Sequence, residues 1–146
     1  MTAFTIELLT KSDTATRRGI TEQFTPPADV IEAGRLLHQM VLSKIPFVYH
    51  INSFYRCDRL NKAVGGSATS DHKLGRSADL DSVGNANNGE IFNFIRANCE
   101  FDQLIWEFGN DTDPDWVHVS YRKTGNRKQV LKAVKRSGKT VYLPIQ

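Results

Sequence analysis

The sequence predicts an α+β fold: a small, mostly antiparallel sheet packed against two main helices, 28–42 and 90–98. Three observations predict it. Residues 77–81, 102–108 and 116–121 alternate polar with apolar side chains, the two-residue period of half-buried strands. Residues 28–42 instead gather Val30, Ile31, Ala33, Leu36, Leu37, Met40 and Val41 on one broad apolar face at helical spacing. Turn-forming runs such as Thr25-Pro26-Pro27, Gly65-Gly66 and Gly84–Gly89 punctuate these segments. At 146 residues the chain is expected to be one domain, 1–146, with a basic C-terminal hairpin at about 122–146.

In chain order, Phe4–Leu9 alternates and predicts a short first strand. The helix at 28–42 follows, opened by a proline where the missing N–H does no harm. On it, His38 has no partner at ligand spacing and predicts a surface or capping role. Phe47–Ser53 predicts a strand feeding Phe54-Tyr55-Arg56, then a short helix at 58–64 that stops at Gly65-Gly66. Gly75 turns the backbone into the strand that carries Asp79 beside Ser77 and Asp81, with Ala78 and Leu80 opposite. Glu90–Asn98 is the second helix, buried through Ile91, Phe92, Phe94 and Ile95. Asp102–Phe108 and Trp116–Tyr121 form a hairpin across Gly109–Asp115. Gln129–Lys135 and Thr140–Ile145 flank Arg136-Ser137-Gly138-Lys139 as a terminal hairpin, a helix over Val130, Leu131 and Val134 being the alternative.

The chemistry concentrates in Ser70-Asp71-His72-Lys73-Leu74-Gly75-Arg76-Ser77-Ala78-Asp79 and in Trp116-Val117-His118. A turn followed by a strand lets His72 and Asp79 converge, and His118 lies on the polar face of another strand. Two imidazoles and one carboxylate suit a borderline cation such as zinc, with the fourth position open to water. Glu107 shares a face with Gln103 and Ile105 and is a candidate general base. Arg56, just past a strand end, reads equally as a functional guanidinium or as a structural ion pair. His50 is a ligand by residue type alone. The acidic loop 109–115 lacks the order of a calcium-binding EF-hand loop, so an ordinary turn is expected there.

Charge is uneven. The chain carries 19 basic and 16 acidic residues, a net of +3, yet Val119–Gln146 holds eight Lys or Arg and no carboxylate. A basic tail on an acidic body suggests attraction to a polyanion, or simply solvated positions on a hairpin. Cys57 and Cys99 lack paired spacing and read as reduced thiols. The N-terminal segment Met1–Glu7 has no basic stretch leading into an apolar run, so no signal peptide is expected, and no segment approaches a membrane span.

Taken together, Ser53-Phe54-Tyr55-Arg56, Asn61 with Gly65-Gly66, Ser70-x-His72-x-x-Gly75-Arg76-x-Ala78-Asp79, Phe101-Asp102-Gln103-Leu104-Ile105-Trp106-Glu107 and Trp116-Val117-His118 form an ordered pattern. From about residue 27 to 121 it resembles the zinc D-Ala-D-Ala carboxypeptidases, peptidase family M15, and especially small phage-encoded members; the hedgehog signalling domain shares that fold and metal site. The resemblance implies zinc held by His72, Asp79 and His118, with Arg56 gripping a substrate carboxylate. Glu107 matches the base of the hedgehog-like arrangement, while other members carry the catalytic acid three residues before the last histidine, where this chain has Asp115. Both remain candidates. Trp116 stands near the place where some relatives have an additional histidine. Ser70 is a candidate substrate contact, and Ser70 or Gln103 a candidate support for the ligands.

The activity implied is zinc-dependent hydrolysis of an amide bond in the peptide stem of bacterial peptidoglycan, as a D-Ala-D-Ala carboxypeptidase or an L-Ala-D-Glu endopeptidase. A monomer is expected, synthesised in the cytoplasm and acting on the cell wall through a holin or as part of a virion. The basic tail would hold an anionic envelope polymer. Two other readings compete. One is a non-catalytic, hedgehog-like zinc-containing binding module, which would need His38 or His50 to close the metal's fourth position. The other is a nucleic-acid binder, for which the tail offers only Tyr121 and Tyr142 as stacking platforms.

Overall fold

The computed structural model describes residues 3–146; Met1 and Thr2, the start of the N-terminal segment considered above, lie outside the described residues. In chain order the elements are α1 (Ile6–Thr10), α2 (Asp13–Arg18), α3 (Ala28–Met40), β1 (Tyr49–Ser53), α4 (Asp58–Ala63), β2 (Ser77–Ser82), α5 (Asn88–Asn98), β3 (Gln103–Glu107), β4 (Trp116–Ser120), β5 (Gln129–Arg136) and β6 (Lys139–Pro144). The fold is α+β, as expected. The six strands form one sheet in the order β1-β2-β4-β3-β5-β6, antiparallel except where β5 runs parallel to β3.

The alternation seen in the sequence sorts the two faces of this sheet. Ala78, Leu80, Leu104, Trp106, Val117 and Val119 point into the main core, where they meet Val30 and Leu37 of α3 and Ile91, Phe92 and Ile95 of α5. Asp79, Glu107 and His118 occupy the alternate positions and therefore face away from the helices. Among the described residues no helix is long and apolar enough to cross a membrane.

Several boundaries differ from expectation for identifiable reasons. Phe4–Leu9 is not a strand: the Thr5 hydroxyl accepts from Leu8 N at 2.9 Å and caps α1, whose Leu9 is fully buried while Ile6 faces out. α3 ends at Met40 because Val41 leaves helical geometry, and Leu42–Lys44 continues as a 3₁₀ turn. β1 begins at Tyr49, two residues late. α5 begins at Asn88, two residues early, because Asn87 and Glu90 form a reciprocal capping box. His38 is buried beside the Phe4 ring, correcting the surface or capping role.

Two buried polar side chains fasten distant segments. Gln23 donates to Thr10 O (2.9 Å) and Tyr55 O (2.8 Å) and accepts from Cys57 N (2.9 Å), tying the N-terminal helices to the strand end that carries Arg56. Asp102, fully buried, accepts from Arg127 N, Nε and Nη2 and from Arg122 Nε at 2.8–3.1 Å, tying the segment between β4 and β5 to the start of β3. Hydrogen bonds from Arg127, set against the cost of burial, hold its carboxyl below the ordinary 3.8. Because the folded pKa is depressed, the stabilisation is present above pH 3.8 and is lost as pH falls through the folded value. Asp102→Ala is expected to cost about 2 kcal/mol at pH 7, less than the roughly 3–5 kcal/mol of a fully buried pair because both guanidiniums are partly in water. Urea titration at pH 7 checks the loss, and repeated at pH 3 the difference from the unaltered chain should shrink.

Candidate metal centre and active-site cleft

The local sequence builds the site from a tight turn. Ser70 caps a 3₁₀ turn at Asp71–Leu74, its hydroxyl accepting from His72 N at 3.2 Å. Gly75 then reverses the chain at φ 72°, and a Cβ there would lie 2.6 Å from Val30 O of α3, so both conformation and space require glycine. The reversal sends the chain straight into β2. His72 is consequently buried at the base of the cleft, with Nδ1 2.7 Å from Phe54 O and Nε2 3.2 Å from Asp79 Oδ2. Asp79 and His118 are direct partners in the β2–β4 ladder, and His118 Nδ1 lies 2.9 Å from Asp79 Oδ1.

One ligand atom from each of His72, Asp79 and His118 lies within 4.8 Å of the other two. These residues fit a zinc ion. The carbonyl of Phe54 occupies His72 Nδ1, which fixes the ring and leaves Nε2 for a metal, the usual outer support of a ligating imidazole. Burial opposes charge on Asp79, but hydrogen bonds from His118 and His72 outweigh it and hold the carboxyl well below its ordinary range. Burial likewise opposes charge on His118, yet the Asp79 bond and charge raise its pKa above 6.5. Zinc must displace that proton, so zinc affinity should weaken as pH falls through and below the raised value, approaching tenfold per unit. Calorimetric zinc titration between pH 5 and 8 measures this slope; a flat profile would contradict it.

Glu107, at the end of β3, lines the same cleft and is buried without belonging to the ligand cluster. Burial raises its carboxyl to about 7, the Asp79 charge adding to the rise and His118 opposing it. Asp115 is elsewhere. It is exposed at the foot of β4, its N–H donating to Glu107 O (2.9 Å) and its carbonyl accepting from Asn88 Nδ2 (3.1 Å), and it does not line the cleft.

Arg56 also lines the cleft. Its N–H donates to His72 O (3.1 Å), and its guanidinium touches Ser70 Oγ at 3.3 Å. Among the described residues no carboxylate pairs with it, and its Nε, buried, has no hydrogen-bond partner. Among the described residues the structural ion pair expected as an alternative is therefore absent. Ser70 both caps the turn and positions Arg56. Gln103 lines the cleft as well, but its side-chain amide donates to Gln129 Oε1 at 2.7 Å rather than to a member of the ligand cluster. His50 is exposed on β1 and, with His38, lines a different cavity, so neither belongs to the metal cluster. Cys57 and Cys99 are free and buried.

Two residues important to this arrangement escaped sequence reasoning: Gln23 and Asn88. Asn88 donates to Asp81 Oδ1, Pro114 O and Asp115 O at 2.8–3.1 Å and accepts from Ser82 N, pinning the β3–β4 loop beside the cleft. Its place before an apolar helical run was the one available signal.

A family model described as Peptidase M15 matches residues 2–120. No curated protein matches the chain. A match over most of the 146 residues, on a fold whose sheet and the turn leading into it bring two histidines and an aspartate together beneath an open cleft, leaves one assignment: the chain belongs to the M15 peptidases, a family of zinc-dependent hydrolases of peptide bonds.

Proposed function

We propose that this peptidase hydrolyses an amide bond in the peptide stem of bacterial peptidoglycan, either D-Ala-D-Ala or L-Ala-D-Glu, with zinc held by His72, Asp79 and His118. The observation that carries the reading is a three-ligand cluster sharing its cleft with a buried carboxylic acid, Glu107, and the guanidinium of Arg56, which has no carboxylate partner among the described residues. A structural zinc usually closes its fourth position with a protein ligand. Among the described residues the cluster has three members, which favours a hydrolase over a hedgehog-like binding module.

What zinc supplies when bound is Lewis acidity, lowering the pKa of water from about 15.7 towards roughly 7 and polarising the scissile carbonyl. The chain's own residues do the rest. Arg56 offers a planar fork to a substrate carboxylate and so fixes the peptide against the cleft. Glu107 accepts the proton of the attacking water and delivers it to the departing amine, so the C–N bond breaks with a neutral leaving group. A carboxyl raised to about 7 is suited to both transfers near neutral pH.

An endolysin or virion-associated lytic enzyme is the biological role that accords with this chemistry. The basic tail supports a grip on an anionic envelope polymer only in part. Arg122 and Arg127 pair with Asp102, Lys128 with Glu100 and Lys132 with Asp111, so half of its eight cations already face carboxylates of the body.

The test is mass spectrometry of fragments released from purified sacculi by the zinc-loaded chain, beside a chelated sample. Free D-Ala, or new amino groups at one stem position, should appear only with zinc. Sacculi of several chemotypes left intact by a zinc-loaded protein would remove the peptidoglycan reading.

A further inference from the structure

The family match ends at residue 120, yet the cleft does not. β5 and β6 extend the open face of the sheet by two strands, and Leu131, Lys135, Thr140 and Tyr142 line the same cleft as Glu107 and the ligand cluster. Strand register gives their order: Asp79 opposite His118, Glu107 opposite Ala133, Ala133 opposite Tyr142. From β2 to β6 is four strand spacings, about 19 Å, the length of roughly six residues of extended peptide. Arg56 stands at the β1–β2 side of this track and Tyr142 at the other.

The far end is ordered by contacts within the chain. Lys135 Nζ is bonded to Thr140 Oγ1 at 2.9 Å and sits 5.4 Å from the centroid of the Phe108 ring, and among the described residues it has no carboxylate partner. Phe108 in turn is held at a left-handed φ of 59°, its N–H bonded to Ala133 O and its ring packed against Trp116 at 5.5 Å. Tyr142 is 52% exposed and lines the cleft, so about half of its surface is open to a ligand. Ala133, the smallest residue between it and Glu107, leaves the phenol room to reach over the cleft. Consistent with that reach, partial burial and the charges of Glu107 and Asp79 raise the phenol's pKa.

We propose that the β5–β6 hairpin is a substrate-binding arm: Tyr142 lies along the peptide on the far side of the scissile bond from Arg56, and Lys135 binds a carboxylate carried by that part of the substrate. The occupant is an extended acidic peptide. This rests on the peptidase reading above and adds to it a requirement for length and for a second anionic group.

The test uses the full-length, zinc-loaded chain bearing Glu107→Gln, whose slowed turnover lets binding be read before cleavage, and three soluble peptides containing the same amide bond. These are a dipeptide, a pentapeptide with a side-chain carboxylate, and that pentapeptide amidated. Fluorescence titration reads their affinities. The acidic pentapeptide should bind at least tenfold tighter than the dipeptide. Lys135→Ala should cut that advantage about tenfold, amidation should cut it equally, and the two together should cut it no further. Tyr142→Ala should cut it about fivefold, and melting curves show whether the variants remain folded. A full advantage retained by both folded variants overturns the arm while leaving the peptidase reading intact. Failure of every peptide to bind, with sacculi uncleaved by the unaltered chain, overturns both.

Discussion

Glu107→Gln is expected to lower kcat about 10²–10⁴-fold while zinc binding is retained. The side chain lines the cleft but stands outside the ligand cluster, so its replacement removes a proton acceptor without removing a donor to the metal. The amide is nearly isosteric, which keeps the packing that buries it. The pH profile makes a separate demand. Only the deprotonated carboxyl can accept a proton, so activity should be lost as pH falls through its pKa. Burial puts that value at about 7 in the metal-free chain, and the positive charge of zinc would move the limb to lower pH. The residual activity of the glutamine variant should lack this limb. Asp115→Asn, altering an exposed side chain outside the cleft, should retain most of the turnover. If the aspartate variant carried the loss instead, Glu107 would not be the base. Steady-state rates between pH 5 and 8 on a soluble stem peptide decide between them.

Asp79→Ala is expected to abolish turnover and to weaken zinc by at least 100-fold. Asp79 is the central member of the cluster, reaching His72 with one oxygen and His118 with the other. Its removal takes away the only carboxylate among the three and leaves two neutral donors with nothing to orient His118. The metal-free protein should be affected too. His118 owes its raised pKa to Asp79, so in the variant its imidazole should titrate lower. Histidine NMR of the apo chain measures that change, and competition with a zinc chelator measures the affinity. Zinc held as tightly without Asp79 would remove it from the ligand set.

Most of the site was legible because strand alternation assigns faces. Once 77–82 and 116–120 are strands, Asp79 and His118 must share a side, and a turn at Gly75 brings His72 beneath them. The choice between Glu107 and Asp115 was not legible, since both lie near the last histidine in sequence. What separates them in the fold is where β3 ends, which leaves Glu107 lining the cleft, and the turn pinned by Asn88, which leaves Asp115 exposed outside it. Phe4–Leu9 misled because Phe4, Ile6 and Leu8 alternate; one capping hydroxyl on Thr5 tips the segment into a helix. Gln23 and Asp102 act across gaps of 13 to 34 residues, and no local pattern announces such contacts. The parallel docking of β5 onto β3 was equally hidden, and with it the extension of the cleft by Tyr142 and Lys135.

The central claim is that His72, Asp79 and His118 hold one zinc with a position left for chemistry. X-ray absorption at the zinc edge of the loaded full-length chain tests it most directly. The expected result is one zinc per chain in a shell of two imidazole nitrogens and light oxygen donors, with an oxygen donor exchanged when a small carboxylate or hydroxamate inhibitor is added. A third imidazole, a sulfur donor, or a shell that no such inhibitor alters would contradict it, and would make the metal a structural one.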